Sequence, residues 1–166
     1  MWGTEIKGLN IVLTRLNREI EQIEGRSVQG LIKGAGYVRR KTEKSFPKVP
    51  RDLGNLKASW FVVTASGAVQ GGEEAMMDRS FVGPNAQSIS SSYQGAVWEA
   101  QAEARKLGGL GKKFIIFGYG ANYAFWVHEM VGANFENDTG PKWLQTHLSN
   151  SIGMIVKIVA ENARVK

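Results

Sequence analysis

The sequence predicts an α+β fold, a small, mostly antiparallel sheet flanked by an N-terminal helix pair and a long C-terminal helix. Three observations predict it. Near both ends of the chain, apolar residues recur every three or four positions, the period of a helix face. Two short runs, Ser59-Trp-Phe-Val-Val-Thr64 and Phe114-Ile-Ile-Phe117, are β-branched and aromatic, which suits strands. The helical segments cluster at the ends instead of alternating with strands, and that order disfavours a parallel α/β sheet. A length of 166 residues fits one domain spanning 1–166.

Residues 5–24 carry apolar residues at Ile6, Leu9, Leu13, Leu16, Ile20 and Ile23, a heptad-like seam with charged and amide residues between. Thr4 is the expected N-cap and Gly25 the expected stop. Three heptads are short for a free coiled coil, so the seam is expected to pack on its own domain. Ser27 is expected to cap a second helix over 28–45, with Val28, Leu31, Ile32, Ala35 and Val38 on one face. Gly30, Gly34 and Gly36 each weaken a helix by up to about 1 kcal/mol relative to Ala, and together they suggest close backbone approach, with the first helix as the expected partner. Pro47 and Pro50 end this helix.

Asp52-Leu-Gly-Asn55 is a turn signal leading into the first strand at 59–64. Residues 65–92 have few signals and are expected to form a β-excursion or mobile loop, with a short strand at 80–83. A third helix is expected over 93–106, a glycine-rich turn over 107–113, and the second clear strand over 114–117, ended by Gly118-Tyr-Gly120. A short helix at 121–130 and a loop at 132–139 follow. Pro141 is expected at the first position of the last helix, with Leu144, Leu148, Ile152, Ile155, Val159 and Ala163 as its apolar face. The sheet is expected to carry its helices on one face.

The apolar fraction of 43% and charged fraction of 22% are those of an ordinary globular chain. The absence of Cys excludes disulfides and cysteine-ligated zinc. No apolar run approaches the ~20 residues of a membrane-spanning helix. The first residues lack the basic-then-apolar layout of a signal peptide, so the expected compartment is the cytoplasm, with no membrane partner. A net charge of +6 is compatible with nucleic acid or an acidic protein surface as partner.

Tests for chemistry are negative. The two histidines are His128 and His147, and His128-Glu-Met-Val-Gly132 puts glycine where a zinc protease needs its second histidine. In Lys106-Leu-Gly-Gly-Leu-Gly-Lys-Lys113, Lys113 stands where a phosphate-binding loop needs Ser or Thr for magnesium. Glu73/Glu74 and Glu99/Glu103 read as solvated carboxylates. No Gly-x-Ser-x-Gly elbow or calcium-loop spacing occurs. No catalytic, cofactor-binding or metal residue is assigned, and no cofactor is expected. Two groups remain. Lys33, Arg39, Arg40, Lys41 and Lys44 form a basic stretch suited to DNA phosphates or an acidic protein partner. Tyr123, Phe125, Trp126, His128, Glu129, Phe135 and Trp143 crowd into one segment, and aromatic residues are enriched at protein interfaces as well as in cores.

Three motifs in order resemble the neck and tail-completion proteins of tailed bacteriophages. They are Asp52-Leu-Gly-Asn-Leu-Lys-Ala-Ser59 stepping into the first strand, Gly118-Tyr-Gly-Ala-Asn-Tyr-Ala-Phe-Trp-Val-His-Glu129 after the second, and Pro141-Lys-Trp-Leu144 opening the last helix. An opening like Ile6-Lys-Gly-Leu9 adds to the likeness. The chain departs from the pattern in the length of residues 65–112, with its extra helix, and in Met130-Val-Gly132 where Gly-Thr is usual. The resemblance implies a non-enzymatic virion protein of the neck or tail, assembled in the host bacterial cytoplasm. It implies a ring that terminates the tail tube and joins it to the head connector. Six-fold symmetry is expected from tail relatives and twelve-fold from portal adaptors, with six favoured here. Implied partners are further copies of the chain, neighbouring neck and tail-tube proteins, and genomic DNA passing through the lumen. A closed ring needs heterologous contacts, for which the first helix, the aromatic segment and the C-terminal helix are the candidate faces. The competing expectations are a basic nucleic-acid-binding module without enzymatic activity, resting on the basic Lys33–Arg51 stretch, and an enzyme of unrecognised type, which requires a pocket of perturbed titratable groups.

Overall fold

A single helix, α1 (Leu9–Lys44), about 54 Å long, is the spine of the molecule. The computed structural model describes residues 9–51, 53–68, 81–108 and 113–164. The expected cap at Thr4, the Glu73/Glu74 pair, residues 69–80 of the 65–92 excursion and the centre of the 107–113 turn lie outside the described residues. The expected N-terminal helix pair is therefore one helix. Gly25 stays helical because nothing around it demands a turn, and helical glycine costs only about 1 kcal/mol. Ser27 does not cap; its hydroxyl donates back to the Ile23 carbonyl at 2.8 Å, a bond formed within a continuing helix.

After α1 come α2 (Asn55–Ala58), β1 (Trp60–Thr64), β2 (Gly67–Ala68), α3 (Ala86–Gly108), β3 (Ile115–Tyr119), α4 (Ala124–Glu129) and α5 (Trp143–Ala163). The fold is α+β, as expected from the order of its segments. The sheet is antiparallel with order β2-β1-β3, and β2 contributes only two residues. Trp60 faces Tyr119 and Thr64 faces Ile115 across the β1–β3 pair.

Four successive residues of β1, Trp60 to Val63, are buried. Alternate strand residues point to opposite faces, so both faces of the sheet are covered, not one. α1 reaches the Tyr119 face, where Thr42 and Tyr119 share a hydrogen bond of 2.7 Å. α3 presses on Gly120, which sits against Tyr93 and Ala96.

Several element boundaries move for identifiable reasons. α3 begins at Ala86, seven residues before the expected 93, because Ile89 is buried and Ser92 donates to the Gly120 carbonyl at 3.1 Å. Tertiary contacts thus order a serine-rich run that carries no strong local preference. β3 ends at Tyr119, within the expected Gly118–Gly120 stop, and Gly118 itself pairs opposite Phe61, whose ring lies 3.6 Å from the position a Cβ would take. The described part of the expected 80–83 strand, residues 81–83, is irregular backbone held by the Asn55 side chain, which donates to the Val82 carbonyl (2.8 Å) and accepts from its N–H (3.0 Å). α5 starts at Trp143, and Pro141 and Lys142 form the turn before it.

α5 runs antiparallel against α1. A Cβ on Gly30 would lie 2.8 Å from the Val159 Cα, and one on Gly34 would lie 3.0 Å from Ile155. The close approach signalled by these glycines is real, but its partner is α5. At the far end of this pair, the His147 Nε2–H lies 3.1 Å from both the Ser45 and Pro47 carbonyls. Both partners only accept, which fixes the proton on Nε2. Lys48 bridges to the 137–140 loop, accepting from the Gly140 N–H and donating to the Asp138 carbonyl.

Candidate subunit-contact surface

β3 delivers the chain into α4, and the short turn between them is fixed by packing. Ala121 and Ala124 are buried in a cluster with Val49, Leu56, Ile89 and Trp143. With Ala124 turned inward, the next two residues of α4 point out. Phe125 is 67% exposed and Trp126 is 70% exposed, their rings edge to face at 5.8 Å. Met130 and Val131 follow, also exposed. Four large apolar side chains are bare within seven residues, and exposed apolar surface of that kind marks an interaction site.

The patch stands on a fixed base. Trp143, buried at the start of α5, meets Tyr119 edge to face at 6.2 Å and His128 at 4.7 Å. The Lys142 N–H donates to the His128 carbonyl at 2.8 Å. The Lys142 ammonium also donates to one Glu129 oxygen, and His128 Nδ1 pairs with the other at 2.7 Å. The Glu129 carboxyl is held below its ordinary value of 4.5 by the hydrogen bond from Lys142 first, and by His128 second. A lowered folded value stabilises the fold above pH 4.5, and that contribution fades as the pH falls through the lowered range. The carboxylate is open to water, so the effect is small. Glu129→Gln is expected to lower the melting temperature at about pH 7, with the difference shrinking by about pH 3.5. A difference independent of pH would mean the triad carries no charge-dependent stability.

Between the patch and α5 lies an open, mainly apolar hollow of about 220 Å³, lined by Tyr119, Ala124, Phe125, His128, Trp143 and Leu144. From Leu144, exposed Leu148, Ile152 and Val156 follow at one-turn intervals along α5. The expected apolar face of α5 is thus split. Ile155 and Val159 meet α1, while Leu148 and Ile152 remain bare because the contact with α1 is centred one residue round, on His147 and Ser151.

The expected interface residues do not form one surface. Phe125 and Trp126 are its exposed centre, with His128 and Glu129 half-buried as its support. Tyr123 packs into the core cluster beside Leu56 and Ile89. Trp143, at 1% exposure, is core. Phe135 lies apart, in a separate cleft with Lys48, Arg51 and Glu136. Met130 and Val131 are not named among the expected interface residues, and the C-terminal helix is expected as a face without the particular residues of its stripe. An exposed helix lacking Asp, Glu, Lys and Arg from Trp143 to Val156 is the signal that marks the stripe.

The basic stretch also divides. Lys33, Arg40 and Lys44 are exposed at spacings that place them on one outward face of α1. Arg39 is turned away and paired with Glu43 at 3.0 Å, and Glu43 also pairs with Lys57. Lys41 lies 5.7 Å over the Tyr37 ring. Lys33 bonds to Asn162 on α5 at 2.6 Å. Comparison with protein-family models, curated proteins and solved structures finds no match for this chain.

Proposed function

We propose that this chain is a structural, non-enzymatic subunit that assembles with copies of itself into a ring in the neck of a tailed bacteriophage, closing the tail tube and joining it to the head connector. The observation that carries the reading is the bare patch of Phe125, Trp126, Met130 and Val131 held on a rigid base. Apolar area of that kind is stabilised when a neighbour covers it, at roughly 25 cal/mol per Å². Phe125 and Trp126 of the patch lie in Gly118–Glu129, the segment whose sequence resembles neck proteins, whereas Met130 and Val131 lie where the chain departs from that pattern. In this reading the ring belongs to the virion, assembles in the host bacterial cytoplasm, contacts neck and tail-tube proteins axially, and surrounds genomic DNA.

Native mass across concentration, with electron microscopy of the particles, tests the proposal. Closed rings, or protein that caps added tail tubes, are expected from the wild type. The double substitution Phe125→Ser, Trp126→Ser is expected to abolish both while changing stability by no more than about 0.5 kcal/mol, as for exposed positions. Assembly unaffected by that change would sink the patch as a contact. A second reading, a basic nucleic-acid-binding module, is favoured by Lys33, Arg40 and Lys44 sharing an exposed face. Salt-dependent DNA binding by a strict monomer, indifferent to heads and tails, would move the assignment there.

A further inference from the structure

The seam of α1 continues past its partner. From Gly30 to Thr42 the inward face of α1 is covered, and α5 ends at Ala163, with Asn162 beside Gly30 and Lys33. The same helical face runs on through Ile20, Leu16, Leu13 and Val12, yet every residue from 11 to 22 is exposed. About three turns of helix with an apolar face therefore project beyond the fold, uncovered by any described residue.

We infer that this projecting part of α1 docks on the outer stripe of α5 in a second copy of the chain. Geometry matches the two surfaces. Val12, Leu16 and Ile20 form a ridge at four-residue spacing, and so do Leu148, Ile152 and Val156. Both ridges are about 12 Å long. Rows at that spacing interdigitate in the commonest class of helix packing in globular proteins. The α5 stripe is free of like charge that would repel Arg15 or Arg18, because no Lys or Arg occurs from Trp143 to Val156.

The occupant follows from what each alternative leaves bare. Two α1 projections paired with each other would cover one surface and leave the α5 stripe in water. A projection laid on the α5 of the next copy covers both at once. It also extends an interface the fold already uses, since α1 packs on α5 within each chain. Such a contact joins two different faces, so it propagates head to tail and closes when the rotation permits. The inference rests on the self-assembly reading and names its surfaces.

The chain has no Cys, so introduced cysteines report the contact cleanly. Leu16→Cys is combined in turn with Leu148→Cys, Ile152→Cys and Val156→Cys in the full chain, then oxidised under native conditions. At least one pair is expected to give a ladder of disulfide-linked dimers, trimers and higher species, while each single cysteine gives no efficient bond. Efficient dimers from Leu16→Cys alone would overturn the inference in favour of an α1–α1 contact. Oligomers by native mass with no bond in any pair would overturn the surface assignment and leave self-assembly standing. A strict monomer at every concentration would overturn both. As an independent readout, Leu16→Glu is expected to weaken association at least about tenfold without moving the melting temperature of the monomer. Unchanged association in that variant would also count against the contact.

Discussion

Trp143→Ala is expected to lose about 3–5 kcal/mol of stability, the largest effect of any single change proposed for this chain. Trp143 is 1% exposed and stands between Tyr119 and His128, so its removal empties the joint where β3, α4 and α5 meet. In a chain of this length the loss corresponds to a fall in melting temperature on the order of 10 °C. Its indole N–H has no hydrogen-bond partner among the described residues, so the ring and not the polar atom makes the contribution. Trp143→Phe, which keeps an aromatic ring and removes an unpartnered donor, is therefore expected to cost less than about 1.5 kcal/mol. Urea melts of the two variants check both values. A loss below about 1 kcal/mol in the alanine variant would mean that the joint is not packed as described. In the self-assembly reading proposed above, Trp143→Ala is also expected to impair assembly, since α4 stands on this joint.

The second large effect separates two glycines of the same helix. Gly30→Ala places a Cβ 2.8 Å from the Val159 Cα, and a backbone atom cannot swing aside. The helices must part, at a cost of about 1–3 kcal/mol for overpacking, against at most about 1 kcal/mol gained in helix propensity. Overpacking wins, and the variant is expected to be less stable. Gly25 has nothing within 4 Å, so Gly25→Ala keeps the propensity gain and is expected to stabilise by up to about 1 kcal/mol. Opposite signs for one chemical change five residues apart are the expected result. A neutral or stabilising Gly30→Ala would show that α1 and α5 are not in backbone contact at that point. Gly34 is intermediate, because its close neighbour is the movable Ile155 side chain.

These examples show where the sequence was legible. Strongly periodic segments were read correctly as helices, and β1 was read within one residue, because the Trp60–Thr64 run is β-branched, aromatic and buried. Gly25 does not stop α1, because a glycine permits a turn without requiring one and nothing within 4 Å of it demands a turn. Gly118 likewise stays in β3 against the Phe61 ring, and the strand ends one residue later, within the expected Gly118–Gly120 stop. The serine run at 88–92 carried no local preference and became helix through Ile89 and Ser92. Within the candidate surface, composition pointed to the right segment and not to the right side chains. Trp143 and Trp126 are the same residue type, one buried and the other bare, and only the direction of each helix separates them.

By itself the sequence determined the α+β class, the antiparallel strand pair, the long terminal helices and a glycine-marked close approach, since these follow from periodicity, β-branching and the missing Cβ. Tertiary structure alone decided that α1 is unbroken and outruns α5, that the sheet is covered on both faces, and that Phe125, Trp126 and the stripe from Leu148 to Val156 face outward. The physical reason is that local preference fixes which face of an element is apolar. What covers that face depends on where other elements begin and end in space.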